Sequence, residues 1–147
     1  MRSTKFAGRR LVPVALLTVL AVGFAWTAGE AQIKKGKTRA ADTKYLMRGG
    51  VQPNCAAVGK LLKDSGPADD KAWDDVACHA SLLNELSYSV MDDGRCPDKT
   101  WADAAKLLRE TSGKVLDAAK AKKLDDANAA FKELTTACGS CHKAHKK

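Results

Sequence analysis

Beyond its first thirty residues the chain has no apolar run long enough to span a bilayer, and aromatic residues make up only 5% of the sequence. The shortage of aromatics bears on partners, because the chain is basic, with a net charge of +8. Single-stranded nucleic-acid binders interleave aromatic side chains with their basic ones, and this sequence does not. We therefore expect no nucleic-acid partner and no membrane contact outside the N-terminal segment.

The N-terminal segment has the three parts of a secretory signal peptide. Four basic residues precede an apolar run from Leu11 to Ala28, and small residues follow up to Ala31. We predict a signal peptide over residues 1–31, cleaved after Ala31, and a polar, basic linker over residues 32–40. The alternative is an uncleaved membrane anchor, because the run has about the minimum length of a spanning helix. In both cases the remainder is exported, and we expect it in the periplasm.

The remaining residues, 41–147, are sufficient for one domain with one core. They show helical periodicity, and no stretch has a convincing strand pattern or an internal repeat. Four amphipathic segments are separated by proline and glycine; they cover roughly residues 41–64, 69–92, 100–121 and 124 to near the end. Four helices of similar length with short connections predict an all-α, antiparallel up-down-up-down four-helix bundle.

Two local signals refine the predicted helices. Gly49, Gly50 and Pro53 interrupt the first helix, since a proline inside a helix kinks or breaks it. Thr100 and Asp103 have the spacing of a capping box, which places the start of the third helix at Thr100.

The strongest motif in the chain is the sequence Cys-Gly-Ser-Cys-His over residues 138–142. Cys-x-x-Cys-His is the attachment signature of a c-type haem. In this chemistry the Cys138 and Cys141 thiols add across the two haem vinyl groups, and His142 becomes an axial ligand of the iron. Attachment takes place outside the cytoplasm, in agreement with the signal peptide. We predict one covalent haem c per chain.

Two other readings of this motif are weaker. A thioredoxin-type dithiol lies near a helix N-terminus, where the thiol pKa is lowered, but this pair lies near a predicted helix C-terminus. A zinc site needs further ligands at metal-binding spacing, and Cys55, Cys78 and His79 do not supply such a pattern.

Four helices with the Cys138–His142 motif close to the C-terminus resemble the class II c-type cytochromes, the cytochrome c-prime family and its low-spin relatives. The resemblance covers about residues 41–147. It includes a methionine in the first helix, a tryptophan opening the third and an alanine-rich fourth. Lys146 fits the basic residue that typically follows the motif, whereas His145 stands where the family has an aromatic side chain.

The sixth coordination position of the iron decides the function that the resemblance implies. Met47 and Met91 both fall at the haem end of the predicted bundle, while His79 lies about 20 Å from the end of its helix. Low-spin members of the family have a methionine in the first helix, and Met47 matches that position. We therefore predict Met47 as the sixth ligand and assign Met91 and His79 to packing. A Met–His pair raises the reduction potential.

With two axial ligands the chain is expected to be an electron carrier and not an enzyme. The alternative is a gas-binding cytochrome c-prime, binding NO or CO at an open sixth position. A peroxidase is disfavoured, because no distal acid–base pair is evident and His79 and His145 are poorly placed to form one. The basic tails suggest redox partner proteins with an acidic docking face, and the resemblance implies that a homodimer is one candidate assembly.

Three cysteines lie outside the motif. The first two helices turn back near residue 67, so residues equidistant from that turn lie level, and we predict a Cys55–Cys78 disulfide. Cys96 is more than about 20 Å from Cys78 along the helix axis, which makes that pair hard to close. A Cys55–Cys96 bond, or three unlinked thiols, are the alternatives.

Overall fold

The computed structural model describes residues 35–146, and every regular element within this range is a helix. The elements are α1 (Thr43–Leu46), a π-helical turn (Met47–Val51), α2 (Gln52–Leu61), α3 (Asp70–Ser89), α4 (Lys99–Lys120) and α5 (Leu124–His145). Because α1, the π turn and α2 follow one another without a break, the chain forms four helices. The all-α, four-helix prediction is confirmed.

The predicted signal peptide, the alternative membrane anchor and residues 32–34 of the predicted linker lie outside the described residues. Between residues 35 and 146, no helix is long and apolar enough to cross a membrane.

The first helix is irregular where the sequence indicates. Pro53 lies in the first turn of α2, where its missing N–H is tolerated, and the π turn directly precedes it. Gly50 packs closely on α3, since a Cβ added there would lie 3.0 Å from a methyl carbon of Leu86. The glycines and the proline therefore widen the helix locally and do not end it.

Aspartate side chains cap the N-termini of α3 and α4. Asp69 accepts a 2.7 Å hydrogen bond from the Ala72 amide, and Asp98 accepts a 2.9 Å hydrogen bond from the Trp101 amide. The predicted Thr100 cap is thus wrong by two residues: Asp98 is the N-cap, and Asp103 pairs with Lys99. Each such cap typically stabilises a helix by about 1 kcal/mol.

The core consists of one apolar stripe from each helix, as the periodicity predicts. Its fully buried members are Val58, Val76, Ala80, Leu83, Val115, Ala127 and Leu134.

Polar contacts establish the direction of each helix relative to its neighbour. The Asn54 side chain meets His79 Nδ1 at 2.7 Å, and Asn84 Nδ2 donates a 2.8 Å hydrogen bond to the Arg109 carbonyl. Further along each pair, Gly50 meets Leu86 and Trp101 meets Val90. In each pair the residue number rises on one helix as it falls on the other, so these neighbours run antiparallel. The beginnings of α1 and α4 and the end of α3 consequently share one end of the bundle. The end of α5 lies there too, because the His145 ring meets the Trp101 ring.

The segment before α1 is held to the loop between α3 and α4. The Thr38 and Arg39 amides donate to the Asp93 carboxylate at 2.8–3.1 Å. The Arg95 guanidinium, which is 1% exposed, donates to the carbonyls of Ala41 and Ser89. The described part of the predicted linker is therefore tied to the bundle, although its sequence has nothing apolar to bury.

Candidate functional site

A cavity of about 580 Å³ lies at the end of the bundle where these four helix ends meet. This volume is within the usual range for cofactor sites, about 300–1,000 Å³. Its walls come from the first helix, the end of α3, the start of α4 and the end of α5. The lining residues are Thr43, Lys44, Met47, Arg48, Val51, Gln52, Val90, Trp101, Ala104, Ala105, Leu108, Ala137, Cys138, Cys141, His142, His145 and Lys146.

The cavity exists because small side chains occupy inward positions. Ala104, Ala105 and Ala137 are all buried, and each fills much less space than the leucines found deeper in the core. The end of the bundle is consequently wide and apolar, while its middle is closely packed.

The two cysteines and the histidine of the Cys-x-x-Cys-His motif line this cavity. The motif lies within α5, where residues three and four apart share a face, so Cys138, Cys141 and His142 point to the same side. The two intervening residues lie outside the cavity: a Cβ on Gly139 would meet nothing within 4 Å, and Ser140 donates back to the Ala137 carbonyl.

The protonation of this motif suits a metal ligand and a covalent attachment point. Partial desolvation and then the positive charge of Lys146 lower the pKa of His142, although this residue remains exposed. The neutral imidazole, the form that binds metals, therefore predominates at pH 7. Burial and then the negative charge of Asp98 raise the pKa of Cys141, so that group remains a thiol.

Met47 lines the cavity from the first helix and lies at the start of the π turn. Its side chain is half-buried and contacts both the main core and the smaller apolar cluster formed by Val90, Trp101 and Ala105. The structure thus brings Met47 and the motif to one cavity. π-Helical turns are frequent at functional sites, and this one sets the local path of the Met47 backbone.

The two other candidate sixth ligands do not line the cavity. Met91 packs against the Val90, Trp101 and Ala105 cluster. His79 is half-buried on α3 and bonds to Asn54.

His145, which the sequence analysis gave no role and considered poorly placed for acid–base chemistry, lines the cavity. Its side chain is 9% exposed, and its Nε2 lies 3.5 Å from an Asp98 carboxylate oxygen but has no hydrogen-bond partner. Its ring meets Trp101, whose own Nε1 donates a 2.8 Å hydrogen bond to the Val90 carbonyl. The signal was present in the spacing: His145 follows Cys141 by four residues and Cys138 by seven, which places all three on one helix face.

The mouth of the cavity is basic, because Lys44, Arg48 and Lys146 contribute to its lining. The described residues contribute no acidic side chain to the same lining. A negatively charged group that approaches this end of the bundle is therefore attracted.

All five cysteines are unpaired, so the predicted Cys55–Cys78 disulfide is not formed in this structure. Residues 54 and 79, next to the predicted pair, do lie at the same height on the two helices, since Asn54 bonds to His79. Successive residues on a helix point about 100° apart, so Cys55 does not face α3 when Asn54 does. With Asn54 directed at α3, Cys55 interacts with Cys138 on α5, and Cys78 is exposed.

The Cys55–Cys138 contact changes the acidity of both groups. A hydrogen bond with the Cys138 thiol lowers the pKa of Cys55 to about 7, more than compensating for desolvation. The same hydrogen bond, together with burial, raises the pKa of Cys138. Cys55 is thus the more acidic thiol of the pair.

No protein-family model, no curated protein and no solved structure matches this chain. Within residues 35–146, no group of three or more His, Cys, Asp or Glu side chains is arranged to hold a metal ion.

Proposed function

We propose that this chain is a periplasmic c-type cytochrome of the class II kind, which carries electrons through one covalently bound haem c and transforms no substrate. The observation that carries the proposal is the single cavity lined by Cys138, Cys141, His142 and Met47. These side chains would supply the two attachment points and the two iron ligands that such a cytochrome needs.

The residues around the cavity fit a haem. Its walls are mostly apolar, with Val51, Val90 and Leu108 beside the inward alanines, as burial of a large planar macrocycle requires. The basic residues Lys44, Arg48 and Lys146 at the mouth suit carboxylate groups such as the two haem propionates. No acidic side chain of the described chain lines the cavity to oppose them.

When bound, the haem supplies an iron that alternates between the ferric and ferrous states. His142, whose pKa is lowered by partial desolvation and by the charge of Lys146, would offer a nitrogen ligand. Met47 offers a soft thioether, which favours the ferrous state and raises the potential. Trp101, held by its hydrogen bond to Val90, excludes water from one wall. Because these groups bind and orient the cofactor, electron transfer is the chemistry that they support.

The basic mouth also supports the choice of partner. Positive charge around the cavity would steer an acidic docking face toward it and accelerate encounter at low salt. We therefore propose redox partner proteins with an acidic docking surface, whose association with this chain weakens as ionic strength rises.

Expression of the full chain together with the haem-attachment machinery tests the proposal. The expected product is a pigment whose colour remains with the protein after acid–acetone extraction. In the reduced state it should react little with carbon monoxide; rapid carbon monoxide binding would favour the gas-binding alternative. Replacing exposed Cys78 with serine is the matched control for Cys138→Ser, and only the latter should impair attachment.

A further inference from the structure

The contact between Cys55 and Cys138 follows from the way in which the first helix packs on α5. A Cβ added at Gly59 would lie 3.1 Å from Phe131 Cζ, and at Gly66 a Cβ would lie 2.6 Å from a Leu124 methyl carbon. Gly59 lies seven residues before Gly66, whereas its contact Phe131 lies seven residues after Leu124, the contact of Gly66. The two segments therefore run antiparallel, with side chains of α5 packed against glycines of the first segment.

The same antiparallel packing brings the two cysteines near one another. Cys55 lies four residues before Gly59 and Cys138 lies seven residues beyond Phe131, so their backbones differ in level by about one helical turn, roughly 4.5 Å. The two side chains bridge this offset, because the Cys55 and Cys138 thiols are hydrogen-bonded to each other. Both cysteines are half-buried against the main core. Cys138 lines the cavity whereas Cys55 does not, so Cys55 contacts the attachment cysteine from behind the cavity wall.

We propose that Cys55 and Cys138 form a disulfide before haem is attached, and that this bond withholds Cys138 from the haem until a dithiol reductant opens it. The withholding role rests on the proposed function, but the disulfide itself does not. Cys55 would then be a redox partner of the attachment site and not part of a structural Cys55–Cys78 bridge.

The oxidation is a thiol–disulfide exchange with a disulfide-bearing oxidant, the kind of oxidant present in exported compartments. The Cys55 thiolate attacks one oxidant sulfur, the oxidant S–S bond breaks, and the other oxidant sulfur leaves as a thiolate. Cys138, having lost its proton, then attacks the Cys55 sulfur of the mixed disulfide and releases the second oxidant thiolate. The two protein thiols lose two electrons and two protons, and the oxidant disulfide becomes two thiols.

The order of attack follows from acidity. The pKa of Cys55, about 7, makes a large fraction of this group a thiolate at neutral pH. Opening is the reverse exchange, in which a dithiol reductant becomes the disulfide. Once Cys138 is a thioether it can no longer exchange, so attachment of haem makes the opening irreversible and leaves Cys55 as a free thiol.

Peptide mapping of the full chain, produced without the haem-attachment machinery, tests the disulfide. The protein is treated with oxidised glutathione, blocked with an alkylating reagent and digested with trypsin without reduction. The expected linked product joins residues 49–60, which contain Cys55, to residues 133–143, which contain the motif, with Cys141 alkylated. A predominant Cys138–Cys141 or Cys55–Cys78 bond, or alkylation of Cys55 and Cys138 alike, overturns the proposal.

Haem attachment to the same preparations tests the withholding role. Oxidised wild type is mixed with ferrous haem b, with and without prior reduction by a dithiol. Oxidised wild type should attach haem about tenfold more slowly than reduced wild type, since few Cys138 thiols are free. Cys55→Ser, treated with the same oxidant, should attach it at close to the reduced rate, and Cys78→Ser should behave as wild type.

Each outcome decides between the two proposals. Equal rates for oxidised wild type and Cys55→Ser contradict the withholding role, even when the linked peptide is found. Failure of every preparation, including reduced wild type, to acquire covalent haem counts against the proposed function, while the peptide map still decides whether the disulfide forms.

Discussion

The imidazole ring of His145 meets the indole ring of Trp101 edge-on, with ring centroids 5.3 Å apart and the ring planes at 73°. Trp101 lies in the first turn of α4 and is bonded to the Val90 carbonyl at the end of α3. This contact therefore joins three helix ends at the cavity. His142 precedes His145 by one turn, so this contact holds the turn of α5 that carries His142.

Substitution of His145 tests this packing role. His145→Ala should lower the free energy of unfolding by about 1 kcal/mol, the usual value of an aromatic pair beyond its buried area. His145→Phe keeps a ring against Trp101 and removes a buried nitrogen that has no hydrogen-bond partner. We expect His145→Phe to melt at or above the wild-type temperature, as measured by circular dichroism. A Phe variant less stable than the Ala variant would contradict a packing role.

Substitution of Met47 tests the sixth ligand in the haem-loaded protein. Met47→Ala removes the thioether, so the iron should shift toward high spin, the reduction potential should fall, and carbon monoxide should bind readily. If Met47 is only a packing residue, the variant loses about 2–5 kcal/mol of stability with an unchanged spectrum. Spectrum and melting temperature recorded together separate these outcomes. Met91→Ala is the matched control, because Met91 packs at the same end outside the cavity lining.

The start of α4 is tested by the cap residues. Asp98→Ala should cost about 1 kcal/mol of stability, because its carboxylate accepts the Trp101 amide. Thr100→Ala should cost much less, since no cap contact depends on the exposed Thr100 side chain. Chemical denaturation of the two variants measures the difference. A larger loss for Thr100→Ala would restore the capping box that the sequence suggests.

The position of the α4 cap could not be chosen from the sequence alone. Asp98 and Thr100 are both good N-cap residues two positions apart, and helix boundaries inferred from sequence differ by a residue or two. The helices themselves were predictable, because Val76, Ala80 and Leu83 on α3 repeat at three and four residues and are all buried.

The candidate site was predictable in part for a similar reason. The motif spacing itself places Cys138, Cys141 and His142 on one helix face, and the antiparallel order brings Met47 to the same end. The partner of Cys55 depended on a rotation of about 100° around the first helix. A π turn adds one residue to a helical turn, so an α-helical period counted through Met47–Val51 does not give the faces beyond it.

The contact between residues 38–39 and the Asp93 carboxylate should depend on pH. The hydrogen bond from the Arg39 amide is the main cause that lowers the pKa of this carboxyl. Because the folded value lies below the unfolded value of about 3.9, the stabilising contribution is present above that pH and is lost as pH falls through the folded value. The amide chemical shifts of Thr38 and Arg39 should therefore titrate with a midpoint below about 3.9. Asp93→Asn should abolish this titration. A midpoint at or above the unfolded value would contradict the hydrogen bonds from the Thr38 and Arg39 amides to Asp93.

The most direct test of the central proposal is the intact mass of the exported chain, produced with the haem-attachment machinery and denatured in acid–acetone. We predict the mass of the chain plus one haem, with the haem-bearing peptide mapping to residues 133–143 and both Cys138 and Cys141 modified. The Cys138→Ser, Cys141→Ser double variant should have the mass of the chain alone. A folded wild-type product without covalent haem, with Cys138 and Cys141 both open to alkylation, would contradict the proposal.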